Sequence, residues 1–142
     1  MKDAIRPGLE GQVEKKVETR HLAHTLGNKG ARVLATPVLI GLLEDAASRA
    51  ILSHLPPGTF TVGSFIQVRH LKATPAGLRV VARGKLREVD GRRLVFDVEA
   101  YDEVEKIAEG VHERFIVDKE RFLAKVKAKK RDRDAVSRAG RT

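Results

Sequence analysis

The chain has 142 residues, of which 42% are hydrophobic and 33% charged, a composition typical of one soluble globular domain with a buried core. It contains no cysteine, which excludes a disulfide framework, a cysteine-based zinc site and a cysteine nucleophile. No apolar run approaches the roughly 18 residues that span a bilayer, and the N-terminal residues lack the hydrophobic segment of a signal peptide. We therefore expect a cytoplasmic protein without a membrane partner.

The net charge of +9 is concentrated near the C-terminus. Residues 125–142 hold eight basic and two acidic side chains, so they account for +6 and leave +3 for the rest. Basic tails are usually solvated, and five Phe, one Tyr and no Trp do not make the aromatic platform of a single-strand nucleic-acid binder. We predict a single folded domain over residues 1–124 and no nucleic-acid partner. Residues 125–142 are predicted to be a basic extension that completes the last helix and is then disordered.

The N-terminal part of the chain predicts one weak strand and one strong helix. Residues 8–20 mix charged and apolar side chains and favour an edge strand, and a glycine-containing loop follows at residues 27–30. Residues 35–54 are apolar around most of a helical circumference, which is typical of a helix buried on several sides. Thr36 and Pro37 form a helix-start pair, with Thr36 predicted as the N-cap.

Beyond residue 58 the apolar period changes from helical to alternating, which indicates β-strands. We predict four antiparallel strands in a meander and then a helix, at residues 60–71, 78–88, 93–102, 106–117 and from about 118. Asp90-Gly91 is a hairpin signal between the second and third of these strands. The predicted fold class is α+β: a curved antiparallel sheet wrapped around one long buried helix, with a C-terminal helix. A second subunit is one candidate for the remaining cover of the buried helix.

Glu44 is the first candidate for chemistry because its neighbours on the helix carry no charge. The residues three, four and seven positions away are Pro, Ile, Gly, Ala, Ser and Ile, whereas the adjacent Asp45 has Arg49 at i+4. A carboxylate on an apolar face either finds a distant cation or has a raised pKa, and a raised pKa suits general acid–base or nucleophilic chemistry. The helix pattern leaves open a reactive acid and an acid paired with an arginine from a strand or another subunit.

Three further candidates each have a structural alternative. His70 lies near a strand end, where it either exchanges protons or orients a neighbour, or is purely structural. Thr36 stands where free helix N–H groups suit a developing oxyanion, or it is only a cap. Gly63 permits close approach of a ligand, or it marks a bulge. Strand alternation predicts a helix-facing side made of Val62, Ser64, Ile66, Val68 and His70. The other four histidines share no ligand spacing with His70, so no metal site is expected.

Four sequence blocks together resemble the fluoroacetyl-CoA thioesterase-like family of the hotdog-fold thioesterase superfamily. The blocks are residues 34–44 (LATPVLIGLLE), 68–77 (VRHLKATPAG), 90–94 (DGRRL) and 110–114 (GVHER), and the resemblance extends over roughly residues 13–129. It implies a hotdog fold and hydrolysis of a small acyl-CoA to free acid and CoA. It also implies a homodimer with active sites at or near the subunit interface, with a dimer of dimers left open.

The same resemblance assigns roles residue by residue. Thr36, Glu44 and His70 match the family's catalytic threonine, glutamate and histidine. Gly63 matches a glycine near the thioester carbonyl, and Arg114 matches an arginine near the bound ligand. Glu44 would attack the carbonyl or activate water, His70 would assist proton transfer towards the leaving thiolate, and Thr36 would position the reacting groups. No metal or cofactor is implied, since CoA is part of the substrate.

One departure limits what the resemblance implies about the acyl group. The fluoroacetate-resistance enzyme has an aromatic lid residue shortly before its threonine motif, whereas residues 30–33 here read GARV. Selectivity for a fluorinated acyl group is therefore not implied, and we expect a broader or different preference for short acyl groups. The alternative function is a non-catalytic hotdog module that binds an acyl-CoA or an acyl carrier.

Overall fold

The computed structural model describes residues 4–140, in which five strands form one antiparallel sheet with a helix packed against it. The elements are β1 (Glu10–Lys16), α1 (Thr36–Ile51), β2 (Thr59–His70), β3 (Arg79–Asp90), β4 (Arg93–Tyr101), β5 (Lys106–Asp118) and α2 (Lys119–Ala139). Every predicted helix and strand is present. The main helix ends at Ile51 because residues 52–54 form a short 3-10 turn.

The strand order is β1-β3-β4-β5-β2, so the predicted meander of four strands is wrong. Strands β3, β4 and β5 do form a meander, joined by connections of two and four residues. β2 instead pairs antiparallel with β5, and the eight residues 71–78 connect it to β3. Tight hairpins use connections of about two to five residues, and this connection is longer. β2 therefore lies at one edge of the sheet and β1 at the other.

The core lies between α1 and the curled sheet. The fully buried side of α1 consists of Leu39, Leu43, Ala46, Ala47 and Ile51. The residues in the middle of this side are alanines because α1 approaches the backbone of the sheet closely. A Cβ atom added at Gly84 of β3 would lie 2.7 Å from the Cα of Ala47 and 2.8 Å from its nitrogen. Alanine in the helix and glycine in the strand together set the helix–sheet distance.

A Gly84→Ala substitution is expected to destabilise the fold by about 1–3 kcal/mol, because the new methyl group meets helix backbone that cannot move alone. Gly41→Ala is the matched control. Gly41 is an exposed residue of α1 with nothing within 4 Å of an added Cβ, so alanine there is expected to stabilise the helix by about 0.5–1 kcal/mol. Urea unfolding of the two variants checks both signs, and equal shifts at the two positions would contradict the close-packing argument.

A bulge between Gly63 and Phe65 changes which residues of β2 face the helix. Thr61 is buried, and a Cβ at Gly63 would point at α1, 3.2 Å from the Glu44 carboxylate. After the bulge Val68 packs against the core, and His70 contacts the start of the helix. The predicted side is therefore correct for Ile66, Val68 and His70 and wrong for Val62 and Ser64, because one extra residue reverses the alternation.

The C-terminal helix begins where it was predicted and continues further. Asp118 caps α2 by accepting a hydrogen bond from the Arg121 N–H at 3.0 Å, and Phe122 packs edge-to-face on Phe60 at 5.5 Å between ring centroids. The helix runs to Ala139, through most of the basic extension, because lysine, arginine and alanine are good helix formers. Residues 141–142 lie outside the described residues, and the division at residue 124 stays a prediction. Among residues 4–140, neither helix combines the length and apolar character that crossing a membrane requires.

Candidate active site

The first part of the site joins the start of α1 to the end of β2. Thr36 was predicted to be the helix N-cap, and that prediction is wrong. Ala35 occupies the N-cap position and makes no side-chain cap bond. The Thr36 hydroxyl is instead hydrogen-bonded to the His70 imidazole, with 2.8 Å between Oγ1 and Nδ1. β2 ends at His70 beside the start of α1, so the His70 ring lies within hydrogen-bonding distance of the Thr36 hydroxyl. The sheet and the helix together make this pair, which neither element makes alone.

The His70 ring is half-buried and has one nitrogen to spare. Burial lowers the pKa of His70 below its ordinary value of 6.5, and a smaller contribution from the Lys72 backbone acts in the opposite direction. Nε2 is buried and has no partner of hydrogen-bonding geometry among the residues that the structure describes. The neutral ring is therefore favoured, and this nitrogen is available for proton exchange. The adjacent cavity of about 350 Å³ is lined in part by Ala23, Ala31 and Val33.

The second part of the site surrounds Glu44. A Cβ added at Gly63 would lie 3.2 Å from Glu44 Oε1, 3.3 Å from His112 Cε1 and 3.5 Å from Arg114 Nη1. The missing side chain of Gly63 thus leaves a gap that an acid, an imidazole and a guanidinium all border. Glu44 makes no ion pair within 4.0 Å in the described part of the chain, although it lies in the field of Arg114.

The alternative that Glu44 lies near an arginine of a strand is thus correct, but the two side chains do not form a direct ion pair. Burial lowers the pKa of Arg114, and the attraction of Glu44 acts the other way. The adjacent Asp45 is exposed and pairs with Arg49, with 3.2 Å between Oδ1 and Nε, as predicted. Glu44 is therefore an acid beside a cation, without the direct contact that would neutralise it.

Arg114 is held by three hydrogen bonds within the sheet. Its Nε donates to Thr61 Oγ1 at 2.9 Å, its Nη2 to the Thr61 carbonyl at 3.1 Å, and its Nη1 contacts His112 Nε2 at 3.2 Å. His112 is 1% exposed, and its Nδ1 contacts the Phe65 carbonyl at 2.8 Å. The guanidinium is thereby fixed in direction, with N–H groups left over on the side of Gly63.

The five predicted site residues fall into two groups within one chain. Thr36 and Glu44 are eight residues apart on α1, which corresponds to about 12 Å along the helix axis. Gly63 and His70 are seven residues apart on β2, or roughly 23 Å. The cavity beside Thr36 and His70 shares no lining residue with the cavity of about 210 Å³ beside Glu44 and Gly63. The chain brings Thr36 to His70 and Glu44 to Gly63 and Arg114, and it keeps the two groups apart.

Residues 17–120 match the family described as fluoroacetyl-CoA-specific thioesterase (FlK). The chain belongs to the FlK family. It is 45% identical over 97 residues to the fluoroacetyl-CoA thioesterase of Streptantibioticus cattleyicolor, an alignment that covers 68% of this chain and 70% of that protein.

Solved structures agree with the FlK assignment. A variant of FlK superimposes with a TM-score of 0.83 at 37% identity, covering 90% of this chain and 99% of that one. A thioesterase superfamily member from Thermus thermophilus gives a TM-score of 0.86 at 29% identity, covering 92% and 97%. The predicted hotdog fold is confirmed, and so is the resemblance from which it was inferred.

Sequence analysis missed the two residues that hold the arginine of this FlK relative. His112 was set aside because it showed no ligand spacing with His70, and Thr61 was not among the residues predicted to face the helix. A period-two signal was available, because Gly110, His112 and Arg114 alternate along one side of β5. Recognising it required knowing that β2 pairs with β5.

Thr74, which belongs to one of the sequence blocks that carry the FlK resemblance, has a structural role. Thr74 is fully buried, and its hydroxyl donates to Asp102 Oδ2 at 2.9 Å. The other oxygen of Asp102 accepts the N–H groups of Val104 and Glu105. Thr74 thus ties the crossing segment 71–78 to the β4–β5 turn, which fixes the end of β2 where His70 lies. Among residues 4–140, no three His, Asp or Glu side chains gather in a way that could hold a metal ion. The absence of a metal or cofactor stays a prediction.

The buried histidines predict that this FlK-family protein loses stability in mild acid. Burial lowers the pKa of His21, His70 and His112 below 6.5, so the unfolded chain takes up these protons first as the pH falls. The free energy of unfolding should be constant above about pH 7 and fall between about pH 6.5 and 5, before most carboxylates titrate. Urea unfolding at several pH values measures this slope, which should be shallower in His112→Gln. A flat profile down to about pH 5 would contradict the prediction.

Proposed function

We propose that this protein hydrolyses a small acyl-CoA ester to the free acid and CoA, with Thr36, Glu44 and His70 as catalytic residues and Gly63 and Arg114 beside the thioester. The observation that supports this most strongly is the gap at Gly63. It is bordered by a carboxylate with no direct ion pair in the described chain and by a guanidinium whose direction is fixed. An acid and a hydrogen-bond donor that border the same gap suit acyl transfer.

The chemistry needs one nucleophile, one proton source and one donor to the carbonyl oxygen. In one form, the Glu44 carboxylate attacks the thioester carbon, the carbon–sulfur bond breaks, and water then cleaves the resulting anhydride to release the acid. In the other form, Glu44 removes a proton from a water that attacks the same carbon. In both, His70 delivers a proton to the CoA thiolate, and Arg114 donates to the oxygen on which negative charge develops. Thr36 orients His70 through their 2.8 Å hydrogen bond.

The separation of the two groups of residues supports a homodimer. β2 is an edge strand of 12 residues with no proline or lysine, and its Phe65 is 46% exposed. β1, at the other edge, is protected by alternating charged side chains at Glu10, Glu14 and Lys16. A long edge without such protection is a template for another strand. A second copy of the chain pairing along β2 would satisfy it.

Symmetric pairing also completes the site. Two copies of β2 related by a two-fold axis run antiparallel, so the early part of one strand meets the late part of the other. An axis near Ile66 and Gln67 places Gly63 of one protomer opposite His70 of its partner. Glu44, Gly63 and Arg114 of one chain then face the partner's Thr36 and His70, on the same side of the continued sheet. Association of two such dimers is left open.

The cavity beside Thr36 and His70 suits a short acyl chain without fluorine selectivity. Its volume is about 350 Å³, and its wall combines Ala23, Ala31, Val33 and Leu71 with the polar Asn28, Thr36, His70 and Lys72 and contains no Phe, Tyr or Trp. Its aliphatic part discriminates by size and shape, so we expect several short acyl groups to be accepted and none to be selected for a single fluorine atom.

The test follows thiol release with a thiol-reactive dye across straight, branched, aryl and fluorinated acyl-CoA esters. Turnover of several short esters, with fluoroacetyl-CoA not preferred by more than about tenfold, is the expected result. A strong preference for fluoroacetyl-CoA would overturn the acyl assignment and keep the reaction. Bound CoA esters with no thiol release from any of them would favour the non-catalytic binding module instead. Gel filtration coupled to light scattering determines whether the protein is a dimer.

A further inference from the structure

The hydrogen bonds of His112 define its protonation state. The Phe65 carbonyl can only accept, so Nδ1, 2.8 Å away, must donate. The Arg114 guanidinium can only donate, so Nε2, 3.2 Å from Nη1, must accept. Both conditions hold only for the neutral ring with its proton on Nδ1. With both nitrogens engaged, His112 has neither a free base nor a free proton for substrate.

The surroundings of His112 keep it in that state. Burial lowers the pKa of His112 most, and the charge of Arg114 lowers it further, while the hydrogen bond to the Phe65 carbonyl and the charges of Glu44 and Glu113 act in the opposite direction. A protonated ring would carry a hydrogen on Nε2, where Nη1 of Arg114 also brings one. The contact would become a repulsion between two donors, and Arg114 would have to turn away from Gly63.

Arg114 keeps N–H donors for substrate after its contacts with Thr61 and His112 are made. Thr61 takes two of its donors and His112 takes one, out of the five that a guanidinium has. The Nη1 atom that His112 holds is the same atom that lies 3.5 Å from the Cβ position of Gly63. His112 thus determines where the second hydrogen of Nη1 points.

We propose that His112, in its neutral Nδ1–H form and together with Thr61, is a positioning residue that aims Arg114 Nη1 at the carbonyl oxygen of the bound thioester. This rests on the proposed function, in which Arg114 meets the substrate. Donors that are oriented before the reaction stabilise the developing charge without having to rearrange. A guanidinium released from Thr61 and His112 would still bind the ester but would stabilise the transition state less.

The competing explanation is that His112 only clamps the bulge of β2 through the Phe65 carbonyl. Two substitutions separate the two roles, because each keeps a different nitrogen position. In His112→Asn the amide nitrogen replaces Nδ1 and can still donate to Phe65, but nothing reaches Arg114. In His112→Gln the amide oxygen lies near the position of Nε2 and can accept from Arg114, but the bond to Phe65 is lost.

The experiment measures kcat and KM on an ester that the wild-type protein hydrolyses, beside thermal unfolding. His112→Asn should lower kcat by about tenfold or more with KM little changed, and His112→Gln should recover most of that loss. Recovery in His112→Asn with loss in His112→Gln would overturn the proposal in favour of the clamp. Unchanged kcat in both would overturn it as well.

A second pair of variants covers the case in which neither histidine variant folds. Thr61→Val removes the oxygen that accepts from Arg114 Nε and leaves both contacts of His112 in place, and Thr61→Ser restores the hydroxyl. Thr61→Val should lower kcat and Thr61→Ser should recover it. Equal kcat in the two variants would overturn the positioning role.

NMR spectroscopy of the Arg114 side chain tests the positioning role without measuring turnover, so its outcome is separate from that of the proposed hydrolysis. In ¹⁵N-labelled protein, the Arg114 Nη1 and Nη2 signals should be separate in the wild type and in His112→Gln, because rotation of a bonded guanidinium is slow. In His112→Asn they should exchange faster and lie closer together, because only the two contacts with Thr61 then hold the guanidinium. If the wild type hydrolyses no ester, the proposed function fails and the catalytic part of this proposal fails with it. Merged signals in the wild type would show that Arg114 is not held, whatever the turnover.

Discussion

Replacing Glu44 with glutamine is expected to lower kcat for thioester hydrolysis by roughly 10²–10⁴-fold while acyl-CoA binding stays within about threefold of the wild type. The amide has the size and shape of the carboxylate, but it neither attacks a carbonyl nor removes a proton from water. Arg114 and Gly63 remain in place to hold the ester. Single-turnover thiol release and calorimetric titration with a non-hydrolysable acyl-CoA analogue measure the two quantities separately.

Asp45→Asn is the matched control for this loss. It removes a negative charge from the next residue of the same helix, but Asp45 is exposed and its partner Arg49 is also at the surface. Turnover of this variant should equal that of the wild type. Comparable activity in Glu44→Gln and Asp45→Asn would remove Glu44 from the chemistry, whichever of the two forms of attack is considered.

Two inactive variants are expected to restore activity when they share a dimer. Glu44→Gln inactivates one half of each site and His70→Ala the other half. In a mixed dimer, one site receives both substitutions and the other site receives neither. The purified mixed dimer should therefore show about half of the wild-type turnover, and an equilibrated equal mixture about a quarter. Differently tagged chains, separated after co-expression, supply the mixed dimer for the thiol-release assay.

A second mixture tests whether this recovery has the proposed origin. Thr36→Val and His70→Ala affect the same half of the site, so each site of their mixed dimer lacks one of the two residues. No recovery is expected from that pair, whereas Thr36→Val mixed with Glu44→Gln should recover. If no verified mixed dimer recovers activity, the two groups of residues act within one chain and the arrangement across β2 is wrong.

Much of this fold can be predicted from local patterns. The bounds of α1 follow from an apolar run that begins at Thr36-Pro37, and the hairpin at Asp90-Gly91 joins β3 and β4 as expected. Glu44 stood out because none of the residues three, four or seven positions away on the helix carries a charge. These signals are local because side chains three or four residues apart on a helix, or two apart on a strand, share one side.

The sequence by itself predicted the helices and strands, the family resemblance and, through that resemblance, all five residues of the proposed site. Tertiary structure alone decided that β2 pairs with β5, that a bulge at Gly63 turns Thr61 inward, and that Thr36 bonds His70 and does not cap its helix. It also decided that Arg114 is held by Thr61 and His112. The physical reason is that each of these contacts joins residues brought together by strand pairing or by helix–sheet packing. Local periodicity shows which side a residue is on, and only the packed chain shows what that side meets.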